Sequence, residues 1–452
     1  MDAPQTRSNC NRLARHWSRV LLLLAITGLL TACGGGGGGA QATCGGSAGF
    51  LTDSGIHPPP TTGVYAYNTF MLDAPCFPRV GGIYTDPIFG GAVKRLTNMT
   101  GQVNQEDIYS KHQANADGTL AFHRTAAEVD IINVNTGATV YSSVPVGLEA
   151  FEMHWDALDP DKYYFFSGAN LMRRNLAAQT NTTMATFPST LEVNGGSVNI
   201  QSRDGRYFTV RYGGTNQVWD SQTNTIYSGS VTPLSAGGWV GISPDGNYIV
   251  NMAGSAAAPQ EQHYSYPINH GTQSIGSTPT QFWGLCGAHG DIISASNGKS
   301  YYVGLNCYSG APGLYRVDLT LNQAGRTYQQ QLADNQLLLP ITWNDDVHVS
   351  SVSKGAFSDW VFVSTESTVD NFNSGVASWT AYEQEIIAIN VMTLEVRRLA
   401  HHRSRQLAAA YGTQPKVSSS WDGSVVMWVS NFNVSSPTGY ADLYAIQSSL
   451  GP

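Results

Sequence analysis

The feature that most constrains this chain is a turn that returns seven times. It is centred on Asp-Gly or a near equivalent: Asn115-Ala-Asp-Gly118, Leu158-Asp-Pro-Asp161, Ser202-Arg-Asp-Gly205, Ser243-Pro-Asp-Gly246, Ser296-Asn-Gly298, Lys354-Gly355 extending to Asp359, and Ser420-Trp-Asp-Gly423. Strands rich in aromatic and β-branched residues follow, among them Tyr207-Phe-Thr-Val-Arg211, Tyr301-Tyr-Val303 and Val425-Val-Met-Trp-Val429. Such residues suit a pleated surface. A repeat of this kind, with about 40 to 65 residues between turns, is the spacing of four-stranded propeller blades.

A second signal runs in phase with the first. Strands ending in a short polar turn recur at Val129 to Gly137, Gln217 to Thr223, Gly313 to Leu319, Glu385 to Asn390 and Asp442 to Ile446. The expectation is an all-β, seven-bladed β-propeller over residues 79–452. Pro87-Ile88 and Ala92 to Leu96, ahead of the first full blade, supply the strand that closes the ring against the last. Two β-sandwiches are the competing architecture, but they would not produce seven repeats in one phase. Tryptophans such as Trp155, Trp219, Trp421 and Trp428 read as wedges between blades, with stacking on sugar rings as the other use.

The N-terminus has the layout of an export signal. Arg7, Arg12, Arg15 and Arg19 precede the apolar run Val20 to Leu30, and small residues lead to Cys33. That run is too short to span a hydrocarbon core of about 30 Å as a helix. Leu30-Thr31-Ala32-Cys33 resembles the bacterial lipobox, which implies lipidation of Cys33 after removal of residues 1–32. Residues 33–78 then form a tether and N-terminal extension, flexible through the glycine run Gly34 to Gly39. By resemblance to other lipoproteins, Gly34 after the cysteine implies the outer membrane, with the lipid as the membrane contact.

Loss of four arginines and one aspartate with residues 1–32 would move the net charge from -8 to -11. An acidic chain lacks the clustered basic surface that a nucleic-acid partner requires. Cys44, Cys76, Cys286 and Cys307 then remain, an even number that fits disulfides in an oxidising compartment. Proximity in sequence favours Cys44 with Cys76 and Cys286 with Cys307. Metal binding is the alternative use, although no C-x-x-C pair is present. Nucleophile elbow, Walker, dinucleotide and H-E-x-x-H motifs are absent as well. A monomer is expected.

The chemistry gathers on the strands just before the repeated turns, which are the innermost of each blade. Four of them carry a histidine: His112, His154, His289 and His348. His401 and His402 lie in the segment leading to the last blade. Should these six converge, they would crowd one mouth of the central channel, where imidazoles can bind a divalent ion or exchange protons near neutral pH. Asp291 is placed to orient an imidazole, with Gln414 and Glu385 nearby. The structural alternative is that such histidines hydrogen-bond to the neighbouring blade, a role that suits His112 best.

The same stretches carry a resemblance. Ser202 to Tyr207 and Ser243 to Tyr248 resemble the repeat of TolB-type propellers. Ala288-His-Gly-Asp291, His348-Val-Ser350, Trp360 to Ser364, Arg398 to Ser404, Gln414-Pro415 and Trp421 to Asn431 are similar to the oligogalacturonate lyase-like branch of that group. The resemblance implies β-elimination on uronic-acid saccharides and a divalent metal, Mn or Ca, with His289, His348 and His402 as ligand candidates. Yet Gln414-Pro-Lys-Val-Ser-Ser419 lacks the histidines that would follow the glutamine in that family. Catalysis would fall to His289 and His348 with Asp291. Binding would fall to His112, His154, His401, His402, Gln414 and Glu385. The other reading is a propeller without catalytic activity that binds a glycan or an envelope protein.

Overall fold

The computed structural model describes residues 51–53, 78–86, 89–99, 111–124, 128–148, 152–194, 198–235, 238–254, 262–285, 289–306, 312–340, 345–367, 382–404, 413–432, 441–448 and 450. Its strands form seven separate antiparallel sheets, one for each repeated turn. The protein is a seven-bladed β-propeller. Cys33, Cys44, Cys76, Cys286 and Cys307 lie outside the described residues, as do Trp343 and Trp379.

Each turn joins the innermost strand of its blade to the next one out. In blade four, Trp239–Ile242 pairs with Tyr248–Met252, which pairs with His263–Asn269. Blades five and six begin with Gly290–Ser294 and Asp345–Ser351 in the same way. The Asp-Gly sequence is needed because the last turn position has a left-handed backbone: φ is +72° at Gly118, +67° at Gly205, +74° at Gly246 and +74° at Gly423. The aspartate fastens the turn, as Asp245 Oδ1 accepts from the Ser243 hydroxyl at 2.5 Å and from the Asn247 amide at 3.1 Å.

Blade seven is built from both ends of the described chain. Ser418–Ser419, Val425–Ser430 and Asp442–Gln447 form its inner part, and Ala92–Arg95 with Ile83–Thr85 complete its outer edge. Arg95 Nε meets Asp442 Oδ2 at 2.7 Å across this junction. The closing strand expected at Ala92 is therefore present. A second N-terminal strand, Leu51–Asp53, adds a fifth member to the outer edge of blade six by pairing with Val396–His401.

Apolar side chains fill the spaces between neighbouring blades, because each sheet presents both faces to another sheet. Trp155 of blade two stacks on Phe122 of blade one, with ring centroids 4.3 Å apart, and its Nε1 donates to the Gln113 carbonyl at 2.8 Å. Trp219, Trp283, Trp421 and Trp428 are also fully buried. The wedge role fits these residues. One helix, Tyr328–Asp334, interrupts the β pattern, started by the Thr327 and Gln330 capping box.

Candidate functional site at the mouth of the channel

All seven innermost strands run the same way, toward the Asp-Gly turns. The first described residues of these strands therefore lie toward the opposite mouth of the channel: Lys111, Glu152, Val198, Trp239, His289, Asp345 and Gln414. His289 and His348 meet there across blades five and six, their rings stacked with centroids 4.7 Å apart and planes 24° from parallel. His348 is buried, while His289 is half-buried. Gly290, next to His289, has to be glycine, since a Cβ there would sit 2.4 Å from the Tyr302 hydroxyl.

Asp291 shares the strand but does not orient either ring. Its Oδ2 accepts from the Ser351 amide at 2.7 Å, a bond that fastens blade five to blade six, and its Oδ1 accepts from the Ile292 amide of its own strand at 2.8 Å. Burial outweighs these bonds and pushes its carboxyl up to about 7.

His154 of blade two stands in a different arrangement. Its Nε2 lies 3.3 Å from Glu152 Oε2, and Glu152 Oε1 accepts from the Asn194 amide at 2.7 Å. Opposite a carboxylate, the proton of a neutral imidazole sits on the facing nitrogen. That leaves Nδ1 as a lone pair, and Nδ1 is buried with no hydrogen-bond partner. Burial lowers the pKa of His154, the Glu152 hydrogen bond opposes this, and the nearby Lys111 charge adds to the lowering. Gln414 Oε1 is likewise buried without a partner at the start of the blade-seven inner strand.

The remaining predicted residues are occupied elsewhere. His112 is structural: Nδ1 lies 2.9 Å from the Ser419 carbonyl and Nε2 2.9 Å from the Ser353 hydroxyl, joining blade one to blades seven and six. His402 is not a metal ligand, since Nε2 is 2.8 Å from the Thr365 carbonyl and Nδ1 accepts from the Ser404 amide at 3.0 Å. His401 and Glu385 are strand partners away from the innermost strand of blade six. There Glu385 pairs with Arg398, and His401 Nδ1 faces Asp86 Oδ2 at 3.2 Å while its ring stacks on Phe89. The six histidines therefore do not share one mouth.

The sequence reading passed over the buried charges of the innermost strands. Lys111, Glu152 and Lys416 are at most 4% exposed. In a chain where charged residues make up only 12%, a charge at the start of an innermost strand was the available signal.

No family model matches the sequence, and neither does any curated protein. Solved structures do match. The oligogalacturonate lyase of Vibrio parahaemolyticus aligns with a TM-score of 0.55 at 11% identity, covering 81% of this chain and 96% of that one. An oligogalacturonate lyase in complex with manganese aligns with a TM-score of 0.52 at 15% identity, covering 81% of this chain and 95% of that one. What the chain shares with these lyases is its fold.

The manganese of the second lyase prompts a test of the residues present here. Among the described residues, no three His, Cys, Asp or Glu side chains form a group able to hold one ion. His402 is engaged at both ring nitrogens by the Thr365 carbonyl and the Ser404 amide, which leaves neither for a metal. Among the described residues, the expected ligand set of His289, His348 and His402 does not come together around one ion.

Proposed function

We propose that the mouth of the channel binds an acidic carbohydrate and cleaves it by β-elimination. The observation that carries this reading is the stacked His289–His348 pair at the channel mouth, one ring buried and the other half-buried. Elimination from a uronate needs three things: neutralisation of the carboxylate, a base for the adjacent C–H, and a proton for the departing oxygen. Lys111, a buried cation at the start of an innermost strand, is the candidate for neutralising the carboxylate, and the imidazoles are the candidates for proton transfer. The base takes the proton, its electron pair becomes the new C=C bond, and the C–O bond breaks. The fold shared with oligogalacturonate lyases supports the substrate class.

The test is to incubate the purified chain with polygalacturonate, alginate and hyaluronan, with and without manganese or calcium, and to follow the ultraviolet absorbance of the unsaturated uronate. Product formation that falls at least tenfold (about 1.4 kcal/mol in the barrier) in His289→Ala is the expected result. No product on any polymer would end the lyase reading. Binding of these polymers without cleavage is the second reading, favoured by the structural duties of His112, Asp291 and His402.

We further propose that the chain is a lipoprotein anchored through Cys33, as its N-terminal sequence suggests. Metabolic labelling with a fatty acid should mark the wild type and not Cys33→Ser.

A further inference from the structure

Blades two, three and six join their third and fourth strands through the short segments 176–179, 221–224 and 391–395, but blade five uses residues 319–335. Inserted chain of this length in a regular repeat commonly serves binding. It contains the helix Tyr328–Asp334 and reaches over to the perimeter of blade four. There the backbone N–H of Gln323 donates to the Gln281 carbonyl at 2.7 Å, and Gln331 Oε1 accepts from the Gly284 backbone amide at 2.9 Å. A cavity of about 400 Å³ lies between the insertion and the blade. That volume is in the range of about 300–1,000 Å³ occupied by small-molecule sites.

Gln323 marks this cavity. It is one of the lining residues, its side chain is fully buried, and neither Oε1 nor Nε2 has a hydrogen-bond partner. Buried amides are almost always paired, so an unpaired one signals a missing partner. The rest of the lining is of similar chemistry: the amides of Gln262, Gln281 and Gln329, and the hydroxyls of Thr327 and Tyr328. Arg326 is also on the wall, but its Nε is 3.0 Å from Asp334 Oδ2, and among the described residues no carboxylate lines the cavity.

Side-chain amides donate at one end and accept at the other, which matches adjacent hydroxyls on a sugar ring. We propose that this cavity is a binding site for a neutral saccharide. It lies at the perimeter, between an outer strand and the insertion, and does not depend on what happens in the channel.

The test uses neutral oligosaccharides: maltohexaose, cellohexaose, laminarihexaose, mannohexaose and xylohexaose, with oligogalacturonate as the acidic comparator. Calorimetric titration and the shift in Tm are read together. At least one neutral saccharide binds the wild type and raises its Tm. Gln323→Leu weakens that binding by about tenfold or more while its own Tm stays level or rises, because an unpaired amide has been replaced by an apolar group. Gln329→Ala, on the exposed side of the helix, also weakens binding, and so covers the case of a Gln323 variant that fails to fold. His289→Ala leaves it unchanged, which separates this site from the channel.

Three results overturn the proposal. One is no binding by any neutral saccharide, and another is undiminished binding in both variants. The third is a fall in the Tm of Gln323→Leu with binding intact, which would mean that the amide holds a buried water.

Discussion

The histidines show how a single side chain can be spent on architecture. His112, His263 and His402 are buried and engaged at both ring nitrogens, and burial pulls their pKa values down from 6.5 to about 4, about 4 and about 3. An unfolded chain takes up protons on these rings between pH 6.5 and about 4 while the folded chain does not, so they make stability fall as the pH falls. Asp291 opposes them. Its carboxyl titrates near 7 in the folded chain against 3.8 in the reference state, so it keeps a proton that the unfolded chain has released, and its contribution falls as the pH rises. For these four groups, three protons gained on unfolding against one lost leave a net uptake of about two, or a slope of about 2.7 kcal/mol per pH unit near pH 5. Urea unfolding at several pH values should show stability rising with pH through this window. Asp291→Asn should steepen the slope by about 1.4 kcal/mol per pH unit, and an unchanged slope would contradict the assignment.

At the scale of strands and turns, the sequence was most legible where backbone geometry restricts residue choice. Gly118, Gly205, Gly246, Gly298, Gly355 and Gly423 all have positive φ, so the positions of those turns could be found without knowing the blades. The closing strand was legible for a similar reason, as an isolated β-rich segment with no blade of its own. Side-chain partners were not. His112 bonds to Ser419, 307 residues away, and no local pattern carries that pairing. The helix Tyr328–Asp334 was not legible, because seven residues are too few to show a helical period, although Thr327 and Gln330 spell its capping box. The cleanest test at this scale is the ring junction. Asp442 accepts from Arg95 at 2.7 Å, the Thr97 hydroxyl at 3.0 Å and the Met99 amide at 2.9 Å, all buried. Asp442→Ala should cost about 3–5 kcal/mol, since it removes the carboxylate that faces a buried guanidinium. Chemical denaturation would show it, and a loss under about 1 kcal/mol, the range of an exposed ion pair, would mean the junction is open to water.

For the molecule as a whole, the seven sheets share no strands, and their unity comes from the packing between them. Each blade depends on two neighbours, so damage at one interface should be felt around the ring. Trp155 fills such an interface between Phe122 and Tyr163 and bonds back to blade one through Gln113. Trp155→Ala should lower stability by about 3–5 kcal/mol in one cooperative transition seen alike by tryptophan fluorescence and circular dichroism. Separate transitions would show that the blades melt individually.

Blade seven also has a consequence for how the chain is made. Lys94 and Arg95 pair with Ala445 and Tyr444, which a ribosome adds only after the strands of the other six blades. Until then the early strand waits with an unpaired edge, exposed to any other strand that passes. Six blades can be assembled in the order of translation, but the ring is shut only when Asp442–Gln447 reaches Ala92–Arg95, so a chain that stops short of Asp442 should be recognised by proteases as unfinished.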